Sequence, residues 1–210
     1  MIDFNNIEKY RENNRIEAKR ALGGLPKSIW ETYSAFANTL GGFILLGVEE
    51  EKDYSFHPVD LPDPEGMKKE FLDLVGKAET VSINLLSEDD VMTLEAEGKH
   101  IIAIRIPRAE KKDMPVFIEG DPMNAYIRKG EGDYKCGPEE YQALLTMKKE
   151  GQKEAVIDYL TDNPGGSAED IATLIGADDD YARALINSLI DEKMIEGFGE
   201  SPDRIYKLRR

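Results

Sequence analysis

The sequence predicts an α+β fold in two domains, residues 1–147 and residues 148–210. Three observations predict it. A helix-periodic segment, a glycine pair and an apolar run follow one another over residues 29–50, strand patterns dominate residues 81–130, and three short helical patterns fill residues 154–193. Helices and strands mixed along the first domain are typical of a mixed sheet with flanking helices.

The segment at residues 29–50 is the most informative part of the first domain. Its apolar residues recur at three- and four-residue steps, which predicts one face of a helix; they are Ile29, Tyr33, Phe36, Ala37 and Leu40. Gly41 and Gly42 then supply the positive φ that ends a helix. The apolar run at residues 43–48 predicts a strand covered on both faces, and acidic residues follow where this strand leaves the core.

Weaker patterns predict the other elements of the first domain. They are a short strand at residues 15–20, a helix at 65–78, a hairpin of strands 91–96 and 101–107 around the turn 97–99, short strands at 115–118 and 125–130, and a helix beginning at Pro138. Proline suits the first turn of a helix because that position needs no amide hydrogen.

The second domain carries helical patterns at residues 154–160, 167–175 and 178–193, followed by strands at 194–197 and 204–208. Ser167 precedes two acidic residues, as expected at the start of a helix. Three short helices and a two-stranded end are the pattern of a winged helix-turn-helix domain.

The composition of the chain limits the kinds of function and the cellular locations that we expect. The chain has 27 basic and 42 acidic side chains and a formal charge of −15, which opposes nonspecific nucleic-acid binding but leaves room for a local basic face. A single cysteine, Cys136, excludes an internal disulfide and fits a reducing cytoplasm. No apolar stretch approaches the ~20 residues of a membrane span and no signal-peptide pattern begins the sequence, so we expect a cytoplasmic protein without membrane contact.

Several segments of residues 10–147 together form a family signature. They are Glu12 and Glu17 before Lys19, SAFANTLGG at residues 34–42, ILLGVEE at 44–50, and YIRKG at 126–130 before a Pro-Glu-Glu helix start. This pattern resembles the Schlafen AlbA-like domain, a family described as DNA-binding and also as a divergent AAA family. The sequence departs from the family where Ala18 replaces Phe and where Glu49 and Glu50 replace Asp. Prokaryotic members that resemble this chain carry a C-terminal winged helix and are described as transcriptional regulators.

The first candidate site is a group of carboxylates, Glu12, Glu17 and Glu49 or Glu50, with Lys19. The resemblance implies metal-dependent RNA cleavage, because acids at matching positions of some relatives serve that reaction. Clustered carboxylates hold Mg²⁺ or Mn²⁺, which activates water and stabilises the leaving oxygen. The alternative, which we favour, is that Glu17 pairs with Lys19 and that Glu49 and Glu50 are solvated.

The second candidate site is a ligand-binding corner formed by Asn38, Thr39, Gly41 and Gly42. Small residues let the backbone approach a ligand, and Asn and Thr offer hydrogen bonds. The alternative is a turn that ties the end of the helix to the strand. ATP is not expected as a cofactor, because the sequence lacks the G-x-x-x-x-G-K-[ST] phosphate loop.

The third candidate site is a nucleic-acid-binding surface. Its members are Arg105, Arg128 and Lys129 in the first domain, and Arg183, Asn187, Arg204, Lys207, Arg209 and Arg210 in the second. Residues 148–210 contain 14 acidic and 9 basic side chains, and three aspartates begin the third helix, where they would repel phosphate. Contact between protein copies is therefore the alternative role of the second domain.

These observations predict a cytoplasmic prokaryotic protein that binds DNA as a transcriptional regulator, without catalysis and without a cofactor. RNA is the alternative nucleic acid. A metal-dependent nuclease using Glu12, Glu17, Lys19 and Glu49 is the rival enzyme, and a homodimerising interaction module is the third hypothesis.

Overall fold

The computed structural model describes residues 9–200 and 204–209. Helices and strands are mixed along the chain, which confirms the α+β class. The chain divides into two compact units. The first comprises Met1–Ala109 and Pro115–Gln142, and the second comprises Glu110–Met114 and Ala143–Arg210.

The first unit contains ten strands and helices, and a longer helix begins near its end. They are β1 (Ile16–Lys19), α1 (Ile29–Asn38), β2 (Gly42–Leu46), β3 (Val48–Glu50), β4 (Phe56–Pro58), α2 (Pro64–Val75), β5 (Val91–Ala96), β6 (Lys99–Ile106), β7 (Tyr126–Lys129), β8 (Gly132–Lys135) and the longer helix α3 (Pro138–Asp162). These counts refer to the described residues.

A four-stranded mixed sheet organises this unit, with the order β1-β2-β6-β5. Strand β1 runs parallel to β2, whereas β6 is antiparallel to both β2 and β5. Two separate pairs, β3-β4 and β7-β8, are antiparallel.

Both faces of the sheet are covered, as the apolar run of β2 predicts. One face contributes a cluster of buried residues, namely Ile16, Leu45, Val48, Phe56, Ala96, Ile101 and Ala103. Strand alternation turns Ile44, Leu46, Ile102 and Ile104 to the opposite face, where α1 and α2 pack. All four of these side chains are fully buried.

The predicted single strand at residues 43–48 is wrong at its end. Gly47 has a φ of 79°, so the chain bends there and β3 leaves the sheet to pair with β4. A Cβ on this glycine would lie 2.8 Å from Cγ of Leu61, so the close packing also favours glycine.

Helix α3 runs without a break from Pro138 to Asp162. The sequence patterns predict a helix start at Pro138 and a separate helix at residues 154–160, but one helix covers both. The predicted domain boundary at residues 147 and 148 therefore falls inside a helix, and the two units meet along the chain between Gln142 and Ala143.

The second unit continues with β9 (Gly166–Ser167), α4 (Ala168–Ile175), α5 (Asp179–Asp191), β10 (Ile195–Phe198) and β11 (Ile205–Leu208). Its strands form a sheet of order β10-β11-β9. The predicted serine cap is present, because Ser167 Oγ accepts a hydrogen bond of 3.1 Å from the amide of Asp170. Buried residues from all three helices and both longer strands form the core of this unit, including Val156, Ile171, Leu185, Ile186, Leu189, Ile195 and Tyr206.

Among the helices in residues 9–200 and 204–209, none is long and apolar enough to cross a membrane.

Candidate functional site

Glu17 lies on β1 between two cations. Its Oε1 is 2.9 Å from Nζ of Lys19, and its Oε2 is 2.9 Å from Nη2 of Arg128. The second contact is an ion pair rather than an aligned hydrogen bond, so Oε2 has no hydrogen-bond donor among the described residues. Both oxygens are nevertheless held by positive charge, which agrees with the favoured Glu17–Lys19 pairing.

Glu12 lies close to Glu17 and Glu50 and is bound to the backbone of β1. Its Oε1 accepts a hydrogen bond of 3.0 Å from the amide of Ala18. Burial raises the pKa of Glu12, and the negative charges of Glu17 and Glu50 raise it further, although the Ala18 amide and Arg128 oppose both effects. The carboxylate is therefore held in place by the fold at an electrostatic cost.

Glu49 lies on β3 and pairs with Nε of Arg20 at 3.4 Å. A divalent ion needs several oxygen ligands directed at one point. The carboxylates do not fit this requirement, because cations hold Glu17 and Glu49 and an amide holds Glu12. Within the described ranges, no group of three histidine, cysteine, aspartate or glutamate side chains has an arrangement suited to a metal ion.

Arg128 on β7 is the centre of this region. Its side chain is only 1% exposed, and Nη1 lies 2.8 Å from Oδ1 of Asp133. Nε and Nη2 donate to the carbonyl of Asn13 at 3.2 and 2.9 Å, and the guanidinium lies 5.1 Å from the centre of the Phe36 ring. Burial opposes charging of Arg128, but Asp133 and Glu17 outweigh it and raise the pKa. The structure thus places this residue inside the unit, where its guanidinium cannot reach a phosphate.

The corner after α1 binds other parts of the same unit. Asn38 Nδ2 donates to the carbonyls of Val116 and Tyr126 at 2.7 and 3.0 Å, and its Oδ1 accepts from the Val116 amide at 2.8 Å. Thr39 Oγ1 accepts from the amide of Arg128 at 3.0 Å. The side chains of Asn38 and Thr39 thus form hydrogen bonds with backbone groups of the same unit, as expected for a structural turn.

Two exposed cations of the first unit have acidic partners. Nζ of Lys129 lies 2.8 Å from Oε1 of Glu140. Nε and Nη2 of Arg105 lie 2.6 and 2.5 Å from Oδ1 of Asp90, yet the Arg105 side chain is 58% exposed. Arg105 therefore has a guanidinium edge that faces solvent.

Cys136 offers no nucleophile at neutral pH. Burial, together with the charge of Glu140, raises the pKa of its thiol to about 11, so the reactive thiolate is scarce.

Sequence reasoning missed Asp133, which lies in the unpredicted strand β8. Arg128 and Asp133 are direct partners across the β7-β8 hairpin. Opposite charges at such positions stabilise a pair of strands. The sequence pattern that could have predicted this pair is the turn at residues 130–131, because Arg128 and Asp133 lie the same number of residues before and after it.

The second unit presents its predicted nucleic-acid contacts on the surface. Arg183 and Asn187 lie one helical turn apart on α5, and both are exposed. Arg204, Lys207 and Arg209 are exposed on or beside β11. Arg210 lies outside the described residues.

Two charged groups shape this surface. Asp178 caps α5 by accepting a hydrogen bond of 2.8 Å from the amide of Tyr181. On the strand pair, Lys207 Nζ lies 5.5 Å from the centre of the Phe198 ring, whose residue is 48% exposed. The helix therefore begins with acidic groups, whereas the strand pair presents basic and aromatic groups together with the exposed Glu196 opposite Lys207.

Comparison with known proteins gives one family match. The family model described as "Schlafen, AlbA_2" matches residues 12–137. No curated protein matches the chain.

Several solved structures are similar to the chain, and they include the following two. The N-terminal domain of a RecG-related protein from Nitrosomonas europaea, solved by solution NMR, is 29% identical over 65% of this chain and 95% of that chain, with a TM-score of 0.48. The crystal structure of the DIP2311 protein from Corynebacterium diphtheriae is 16% identical over 62% of this chain and 23% of that chain, with a TM-score of 0.44.

Proposed function

The chain belongs to the Schlafen AlbA_2 family, and we propose on this basis that it is a nucleic-acid-binding protein that acts as a transcriptional regulator. Its preferred partner is DNA, its action is binding without catalysis, and its place is the cytoplasm of a prokaryotic cell. The family match covers residues 12–137, more than half of the chain.

In this proposal the second unit is a winged helix. Its order of elements, α3-β9-α4-α5-β10-β11, and its sheet order, β10-β11-β9, both support this assignment. In winged-helix proteins a recognition helix enters the major groove, and helix α5 would take that position here. Strands β10 and β11 would form the wing.

The observation that carries the proposal is the set of exposed cations on or beside this wing. Arg204, Lys207 and Arg209 are exposed, and within the described ranges none of them lies in an ion pair with a carboxylate. Exposed cations that no carboxylate neutralises contact phosphate and release counterions, which supplies a large share of the affinity for nucleic acid. The exposed acids Asp179 and Asp180 at the start of α5 oppose phosphate contact there, so the wing supplies the anchoring contacts.

The test is fluorescence anisotropy with a labelled DNA duplex over a range of salt concentrations. The double variant Arg204→Ala/Lys207→Ala should bind more weakly, with a salt slope smaller by about two, because each lost phosphate contact removes about one unit. The matched control Lys148→Ala/Lys149→Ala removes the same charge from α3 and should keep the slope. Absence of any wild-type binding to DNA or RNA at low salt would contradict the proposal.

The same material tests the two alternatives. Single-stranded RNA incubated with Mn²⁺ should stay intact, and Glu12→Gln should behave as the wild type does, because glutamine keeps the hydrogen bond from Ala18. A product that requires both Mn²⁺ and Glu12 would replace the proposal with a nuclease. Light scattering of the wild type tests homodimerisation, and a dimer that binds no nucleic acid would favour the interaction module.

A further inference from the structure

A second basic site lies in the first unit, at the edge of the four-stranded sheet. A cavity of about 260 Å³ opens there, between the glycine pair after α1 and the end of β6. Arg15, Arg105 and Arg108 line it together with Gly41 and Gly42, and its other lining residues are apolar. We call this site the arginine cleft.

The glycine pair explains why three arginines distant in sequence meet at this place. A Cβ on Gly42 would lie 2.8 Å from the carbonyl oxygen of Arg15, so only glycine lets the start of β1 come this close. A Cβ on Gly41 would lie 2.8 Å from the carbonyl oxygen of Ile106 and 2.9 Å from the amide nitrogen of Arg108. The two glycines therefore bring the beginning of β1 and the end of β6 to one corner.

The charge of the arginine cleft is positive in a strongly acidic protein. Asp90 neutralises Arg105, whereas Arg15 and Arg108 are exposed and have no ion-pair partner among the described residues. The cleft is thus left with two uncompensated guanidinium groups, although the whole chain carries a charge of −15. Because no acidic side chain lines the cavity, an anion would meet no direct repulsion there.

We propose that the arginine cleft binds a backbone phosphate of the nucleic acid, an inference that rests on the proposed function. Planar guanidinium groups form paired hydrogen bonds to phosphate oxygens, which a lysine ammonium cannot match. The cavity, at about 260 Å³, has room for a phosphate group between the arginine side chains. Leu40, 41% exposed at the rim, offers an apolar surface to the adjoining sugar.

The experiment compares the wild type with Arg15→Ala/Arg108→Ala in full-length protein, using labelled duplex DNA and labelled single-stranded RNA. We expect binding to weaken by roughly tenfold or more, with a salt slope smaller by about two. The matched control is Lys69→Ala/Lys77→Ala, which removes two exposed charges of the same unit that do not line the cleft. Arg15 and Arg108 are exposed, so thermal melting of both variants should match that of the wild type.

The charge-conserving variant Arg15→Lys/Arg108→Lys separates guanidinium recognition from charge. It should keep most of the salt slope and still lose affinity, because lysine cannot form the paired hydrogen bonds.

Each outcome decides the inference. Loss of affinity and slope in the cleft variant, with neither lost in its control, supports it. Wild-type binding that the cleft variant retains in full overturns the inference but leaves the proposed function standing. A wild type that binds neither probe at low salt overturns both.

Discussion

At the scale of single residues, Arg128 shows how a charged side chain can hold a small domain together. It joins β7 to β8 through Asp133, to β1 through Glu17, and to the segment before β1 through the carbonyl of Asn13. Two segments that are distant in sequence, one around β1 and the other the β7-β8 hairpin, therefore share one guanidinium. Such an arrangement stabilises only while it is complete, because a buried charge without its partner is costly.

We expect Arg128→Ala to lower the free energy of unfolding by about 3–5 kcal/mol, since it removes the cation paired with Asp133 and leaves Lys19 as the remaining cation beside Glu17. Arg128→Lys should recover only part of this loss, because one ammonium group cannot reach both carboxylates and the Asn13 carbonyl. Urea unfolding measures both effects. The neighbouring Lys129→Ala, at an exposed position, is the control and should melt close to the wild type; equal loss in both variants would contradict the structural role.

The chemistry of Arg128 was visible in the sequence, but its location was not. A basic pair at the end of a strand predicts a phosphate contact, and only the β7-β8 register shows that Arg128 faces inward while Lys129 faces out. The Glu17–Lys19 pairing needed no such information, because residues two apart on a strand share a face. Which side chains of a strand are buried depends on the segments packed against it, and these come from distant parts of the chain.

At the scale of elements, the junction between α1 and β2 sets the geometry of the first unit. Helix α1 binds other segments through the polar side chains of Ser34, Asn38 and Thr39, and Ser34 Oγ donates to the Val116 carbonyl at 2.7 Å. Gly41 then reverses the chain with a φ of 68°, and its amide donates to the Phe36 carbonyl at 2.8 Å. The family signature at residues 34–42 is thus a set of structural contacts that also places the arginine cleft.

Gly41→Ala tests this junction. Alanine would adopt an unfavourable positive φ, at a cost of about 1–2 kcal/mol, and its Cβ would also meet the backbone at Ile106 and Arg108. Gly98→Ala is the matched control, because Gly98 has a φ of 73° and no heavy atom within 4 Å of an added Cβ. We expect a larger loss of stability for Gly41→Ala by urea unfolding, together with weaker nucleic-acid binding. Equal losses in the two variants would show that the close approach has no energetic role.

The elements themselves were largely predictable where periodicity was strong. Helix α1, helix α2 and the β5-β6 hairpin lie close to their predicted bounds, because each has a clear apolar pattern and a capping or turn residue. Several features escaped prediction, among them strands β4 and β8. Gly47 bends the chain within an apolar run that otherwise favours one strand. Helix α3 continues through a polar stretch and through Gly151, which is buried against the segment at Lys111 and Lys112.

At the scale of the whole molecule, the net charge and the basic surfaces act in opposite directions. A charge of −15 repels nucleic acid at long range and strains the folded state through self-repulsion. The wing and the arginine cleft are local positive surfaces, and they attract phosphate at short range. The negative net charge disfavours any nucleic acid that does not contact the basic surfaces directly. It therefore favours binding through phosphate contacts at the wing and the arginine cleft.

Salt should therefore change stability and binding with opposite signs. Screening of the self-repulsion should raise the melting temperature by a few degrees, about 2–4 °C for each 1 kcal/mol gained, while affinity for duplex DNA falls steeply. Differential scanning fluorimetry and anisotropy on the same samples measure the two effects, and sucrose, which stabilises proteins without screening charge, is the control for stability. A melting temperature that falls with salt would mean that the ion pairs of the fold outweigh its net repulsion. Binding that persists at high salt would point to apolar contacts, which the exposed Phe198 and Ile205 on the wing would then supply.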